Sequence, residues 1–186
     1  MGFEDESWFS RFERPSVHSW EQAGQPMRLL QKEARKDDPD PKALSCYGLY
    51  APELEETWLR FVDGRPVSAV TTQFLGWCCQ RLQARGKKAL LLIWDNASWH
   101  KSREVREWIT TQNRQVKDRG RGVRIVPCLL PTRSPWLNAI EPKWIHSKGK
   151  VVESERVLGA YELAERVCGL FGCDHEEHLS IPQEVA

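Results

Sequence analysis

The sequence predicts an α/β protein built on a mixed sheet flanked by helices. Three observations carry that reading. Strand-like segments come early, apolar runs then alternate with stretches of helical periodicity, and one unbroken apolar run, Ala89 to Trp94, sits mid-chain. Three early strands that can form a meander, followed by strands alternating with helices, require a sheet of mixed direction with helices packed on its faces.

The elements follow in order. Gly2 to Ser7 leaves only a stub before an acidic cluster, so a short or truncated first strand is expected, with Asp5 at its end. Residues 28–42, charged, with two prolines and no periodicity, read as loop. Ala43 to Tyr50 and Thr57 to Val62 are strands, the second ending on the turn pair Asp63-Gly64. Phe74, Leu75, Trp77, Cys78 and Leu82 recur near helical spacing within Thr71 to Arg85, and Gly86 can end that helix. Ala89 to Trp94 has the pattern of a strand buried on both faces. Ser102 can cap a helix over Arg103 to Asp118, and Gly120 and Gly122 can end it. Val123 to Leu130 is a further strand. Leu137, Ile140 and Trp144, at spacings of three and four, start a third helix, and Val157 to Phe171 forms the last.

A chain of 186 residues with 40% hydrophobic content can bury one core, so one domain is expected. No apolar run approaches the roughly 20 residues of a membrane span and no secretory pattern opens the chain, so an intracellular, cytoplasmic protein is expected. The six cysteines lie in apolar stretches and read as reduced core thiols. Cys168, Cys173, His175 and His178 are too closely spaced to enclose a tetrahedral zinc ion, so they read as core cysteines and surface histidines. The net charge of +1 hides an asymmetry: residues 101–150 carry 12 basic and 4 acidic side chains, residues 151–186 carry 2 and 8. A local +8 attracts phosphates, although a solvated helix face would look the same.

Asp95 follows the central apolar run directly, so it emerges at the carboxyl end of a central strand, where open α/β sheets bind ligands. A carboxylate there needs a partner, and a divalent cation is one; a cap on the turn Asn96 to Ser98 is the bland alternative. Glu141 lies just beyond the next strand on a helix anchored by Leu137, Ile140 and Trp144, with Asn138 on the same flank. With Asp5, these are hard oxygen ligands suited to Mg²⁺ or Mn²⁺.

Three ordered motifs resemble a known family. Asp5-Glu6-Ser7 with Ser19-Trp20-Glu21-Gln22-Ala23-Gly24-Gln25-Pro26, Asp95-Asn96 with His100, and Ser134-Pro135-Trp136-Leu137-Asn138-Ala139-Ile140-Glu141 with Trp144 are similar to the motifs of DDE transposases of the insertion sequence 630 and mariner type, in the ribonuclease-H-like superfamily. The resemblance spans residues 3–146. It implies a ribonuclease-H-like sheet, with residues 1–150 as catalytic core and 151–186 as a carboxyl-terminal helical extension of the same domain. It also implies Asp5, Asp95 and Glu141 as catalytic ligands of two Mg²⁺ or Mn²⁺ ions. Cleavage of transposon-end DNA and joining to target DNA, by a homodimer associated with the nucleoid, complete the expectation. Glu4 and Glu6 flank Asp5, and only the motif favours Asp5 over them.

Asn96, His100 and Asn138 are candidates for holding the ligands or touching DNA, with a satisfied turn asparagine and a plain helix-start histidine as equal readings of the first two, and Lys101, Arg103, Arg133, Lys143, Lys148 and Lys150 are candidates for touching phosphates. The chain begins almost at Asp5, so the family's amino-terminal helix-turn-helix region, and with it specific end recognition, is expected to be missing. The Asp95 to Glu141 interval is long for the family, and the surplus is expected to loop out within Thr110 to Gly122. Two rivals stand beside this reading: a nuclease of the same fold acting on hybrid or branched substrates, and a truncated, non-catalytic remnant that binds DNA or intact transposase.

Overall fold

The computed structural model describes residues 1–12, 36–152 and 156–181, so the Ser19–Pro26 motif lies outside the described residues. Strands β1 (Gly2–Ser10), β2 (Ala43–Ala51) and β3 (Glu56–Asp63) form the antiparallel meander. Helix α1 (Ser68–Ala84), β4 (Ala89–Trp94), α2 (Arg103–Arg119) and β5 (Arg124–Leu129) alternate after it. Helices α3 (Glu141–Lys148) and α4 (Ala160–Phe171) follow, and β6 (Leu179–Ser180) closes the described chain. The sheet order is β5-β4-β1-β2-β3-β6, with β4 parallel to β1 and β5 parallel to β4. This is the expected α/β architecture, a mixed sheet with helices on both faces.

Alternation along the strands sorts side chains into two cores. Tyr47, Leu49, Trp58, Leu90, Leu92 and Trp94 face α1 and α2, where Phe74, Leu75, Cys78, Val105 and Ile109 meet them. Phe9, Leu44, Cys46, Leu59 and Phe61 face the other way and pack under α3 and α4 with Ile140, Trp144, Leu163 and Val167. Ser102 caps α2 as expected, its hydroxyl accepting from the Val105 amide, and Gly120 closes that helix at φ 65°. Arg11, buried just past the end of β1, holds two segments: Nε donates to the Leu158 carbonyl at 2.6 Å, one terminal nitrogen to the Asp40 carbonyl, and the other to Asp38 at 2.8 Å.

Several sequence expectations are corrected. The first strand is nine residues long, because Phe3 to Ser10 pair continuously with β2, and Asp5 sits inside it rather than at its end. The run Ala89 to Trp94 is buried on one face only. Helices α3 and α4 stand over the other end of the sheet, which leaves Leu91 on β4 and Val126 on β5 exposed. The Thr110 to Gly122 surplus does not loop out; it extends α2 to Arg119, supported by Asn113, whose side chain exchanges two 2.8 Å hydrogen bonds with Ile125 of β5. The Leu137 to Trp144 segment is not one helix. A 3₁₀ turn at Pro135–Leu137 precedes an extended Asn138, and α3 starts at Glu141, where Pro142 needs no helical N–H partner. Finally, residues 156–181 hold more than helix, since β6 pairs in parallel with β3.

Candidate active site

β1 divides its acidic cluster between the two faces of the sheet. Asp5 points to the α3 side, where the Trp144 indole N–H donates to its Oδ2 at 3.0 Å. Its cross-strand neighbour is Gly48, and the register explains the glycine: a Cβ there would stand 2.5 Å from the Trp144 ring. Asn138, just before α3, donates from Nδ2 to the Glu4 carbonyl at 2.9 Å and thereby pins the helix start to β1. Glu141 opens α3, and Asp95 leaves β4. Asp5, Asp95 and Glu141 line one cleft of about 290 Å³, together with Asn96, Asn138 and the 130–135 segment.

On the other face, Glu4 and Glu6 meet His100. Its Nε2 lies 3.2 Å from Glu4 and 3.1 Å from Glu6, and its Nδ1 lies 2.9 Å from Asp95 Oδ1. Both ring nitrogens therefore face carboxylates, which only accept hydrogen bonds, so the ring serves as a doubly protonated imidazolium. Burial alone would lower its pKa; Glu4, followed by the hydrogen bonds to Asp95 and Glu6, overturns that and holds it up at about 11. The imidazole also stacks on Trp94 at 4.6 Å, and Trp99 donates to Glu6 at 2.7 Å. Glu4 is fully buried, and desolvation, then Glu6, raises its carboxyl well above the ordinary range. Glu4, Glu6 and His100 are close enough to share a cation among themselves, but there the imidazolium already supplies the positive charge.

Asp95 does cap its turn: Oδ1 accepts from the Ala97 amide at 2.8 Å as well as from His100. Both contacts fall on one oxygen, which leaves the second uncommitted to them. Its pKa is lowered, chiefly by the hydrogen bond from His100. Asp5 goes the other way, pushed up to about 8 by burial first, then by Glu141 and Glu6, with Asp95 adding to them. A cleft that opposes the ionisation of its own central carboxylate, among further carboxylates, fits an incoming divalent cation.

The family model described as DDE superfamily endonuclease matches residues 1–163. The chain belongs to this family. Among solved structures, the endonuclease domain resembles the "Mos1 transposase paired-end complex with left transposon end" with a TM-score of 0.66 at 17% identity, over 95% of this chain and 48% of that one. The "Mos1 mariner paired end complex with Mn" gives 0.63 at 17% identity, over 94% and 48%. The "Mos1 Strand Transfer Complex" gives 0.63 at 16% identity, over 93% and 47%. These likenesses establish the ribonuclease-H-like fold, and the chain spans about half the length of those structures. No curated protein matches the sequence. No helix among the described residues is long and apolar enough to cross a membrane.

The remaining candidates of the endonuclease domain divide sharply. His100 is buried and cannot touch DNA; it stands behind Asp95. Asn96 donates to the Leu130 carbonyl, tying the ends of β4 and β5 while lining the cleft. Of the basic candidates, Arg133 lines the cleft, with its backbone in the left-handed region at φ 58°. Arg103 lies on α2, paired with Glu107 at 2.6 Å; Lys143 packs over Tyr50 with Nζ 4.1 Å from the ring; and Lys150 lies 2.7 Å from His146. Lys101 and Lys148 are exposed but do not line the cleft. In the sequence Trp144 reads as a core anchor and a neighbour of the third motif, and nothing there pairs its indole with Asp5. Gly48 belongs to no motif, but a glycine inside an otherwise bulky strand marks close approach by another group.

Proposed function

We propose that this chain is the catalytic core of a transposase that cuts and rejoins DNA by in-line phosphoryl transfer, with Asp5, Asp95 and Glu141 holding two Mg²⁺ or Mn²⁺ ions. One observation carries the reading: carboxylates from β1, the end of β4 and the start of α3 line a single cleft, and Asp5 is held there against its own ionisation. When bound, the ions would activate water or a DNA 3′-hydroxyl and stabilise the leaving oxygen. The chain's part is placement. Trp144 fixes Asp5, His100 and the Ala97 amide fix one oxygen of Asp95, and Asn138 sets where α3, and so Glu141, begins. The imidazolium of His100 offsets the charge of Glu6 beneath the cleft, and burial disfavours ionisation of Glu4, so fewer unpaired negative charges repel the phosphate. Arg133, which lines the same cleft, would meet a phosphate oxygen.

By likeness to the Mos1 paired-end complex with a transposon end, transposon-end DNA is a substrate, and the motif resemblance adds target DNA and a homodimeric working unit. Residues 1–150 serve as the core and the following segment as an extension of the same domain, since α4 and β6 pack on its sheet. The test is strand nicking of a DNA duplex by the purified chain with Mn²⁺, with Asp95→Asn and Glu141→Gln as controls. Cleavage lost in both variants supports the assignment. Metal-independent nicking, or nicking that survives both changes, overturns it, and a folded wild-type chain that binds DNA without cutting favours the remnant.

A further inference from the structure

Far from the cleft, the chain leaves α4 through Gly172 and runs back to the sheet edge at β6, bringing His175 and His178 face to face. Their Nε2 atoms are 3.1 Å apart. His175 Nδ1 lies 2.8 Å from Glu165 Oε1 on α4, and His178 Nδ1 lies 2.7 Å from Asp63 Oδ1 at the end of β3. Carboxylates only accept, so both Nδ1 atoms carry the hydrogen, and in two neutral rings both Nε2 lone pairs point at each other. Two lone pairs at that distance repel unless an electrophile stands between them.

We propose that His175 and His178 bind a divalent transition-metal ion of the zinc type through their Nε2 atoms. The geometry suits it: two ligands at about 2.0–2.1 Å from zinc are about 3.3 Å apart at the tetrahedral angle and about 2.9 Å apart at a right angle, which brackets the observed separation. Carboxylates behind each Nδ1 are the arrangement that fixes the tautomer and raises the basicity of metal-binding imidazoles. The rings are also held before any ion arrives. Phe61 packs against both, Arg60 Nε donates to the Glu177 carbonyl at 2.9 Å, and Arg81 pairs with Glu176 at 3.0 Å. His178 retains 21% of its side-chain exposure, which gives an ion a way in. The expected surface histidines are therefore a built pair, and neither cysteine of the segment is needed. With two protein nitrogens and the other positions left to water, binding should be weaker than in closed four-ligand sites. The ion would tie β3, α4 and β6 together.

The test is titration of the full chain with Zn²⁺ against a chromophoric chelator, in excess Mg²⁺ to compete for the carboxylate cleft, whose hard oxygen ligands suit that ion. One Zn²⁺ per chain is expected, lost in His178→Gln and weakened roughly 10–100-fold in Asp63→Asn, which removes a carboxylate that contacts only the ring. X-ray absorption on the wild-type complex should show two imidazole nitrogens at about 2.0–2.1 Å, a readout that holds even if a variant fails to fold. No zinc uptake, uptake unchanged in His178→Gln, or an oxygen-only shell would overturn the proposal and leave the pair sharing a proton.

Discussion

At Asp95, one oxygen serves the turn and His100, so shape and charge can be separated. Asparagine caps about as well as aspartate, and Asp95→Asn should leave the metal-free thermal midpoint within a few degrees of the parent. Cleavage should nonetheless fall by roughly 100-fold or more, since residues that only support metal ligands already cost about 10–100-fold. A folded Asp95→Asn protein that cuts as fast as the parent would sink the assignment. Asp5 gives a pH signature. Its folded carboxyl, raised from 3.8 to about 8, binds more protons than the unfolded chain does, so its effect is to make metal-free stability fall as pH rises through that window. An ion at Asp5 must displace that proton, so the rise in thermal midpoint caused by Mg²⁺ should grow as pH approaches 8. A shift that is flat with pH would contradict it. Arg11→Lys keeps the charge but loses the planar fork that reaches Leu158, Asp40 and Asp38 together, and should lower the midpoint by roughly 5–10 °C in a thermal scan.

Among the elements, α3 and β2 are coupled through Gly48. Gly48→Ala would drive a Cβ into the Trp144 ring and to 2.8 Å from Ile140, so α3 must shift; overpacking of this kind costs about 1–3 kcal/mol. The indole would lose its hold on Asp5, and cleavage should drop further than the stability loss explains. Trp144→Phe, which keeps bulk without the N–H, should reproduce the loss of cleavage with a smaller stability cost. Full cleavage in a folded Trp144→Phe protein would remove the indole from the account. What the sequence made legible follows the same physics. The strands β2 to β5 and the helices α1 and α2 have periodic apolar patterns and end on turn or cap residues, so their placement was readable to within a few residues. β6 was not: two residues carry no period, and only pairing with β3 makes them a strand. The open face of β4 was equally hidden, because an apolar run does not say which layer is missing above it. For the site, Asp5, Asp95 and Glu141 were readable as a group from motif order, whereas the imidazolium link from His100 to Glu4 and Glu6 depends on which face of β1 each carboxylate takes.

For the molecule as a whole, charge is segregated, with the +8 region of residues 101–150 running through α2, β5 and α3. Phosphate contacts position a nucleic acid without specifying its sequence. If about four phosphates are neutralised, counterion release sets a slope near −3.6 in a log–log plot, roughly a 100-fold loss of affinity over a fourfold rise in salt. Binding isotherms at several ionic strengths measure that slope, and a salt-independent affinity would contradict the basic surface as the DNA contact. The left-handed backbone of Arg133 adds a question of selection to one of binding. A side chain there costs of order 1 kcal/mol that glycine would not, so Arg133→Gly should raise the thermal midpoint even as DNA affinity falls. A lineage screened for heat resistance alone would then discard this arginine, whereas one screened for mobility would keep it, and sequencing survivors of the two regimes would reveal what the residue is worth to each.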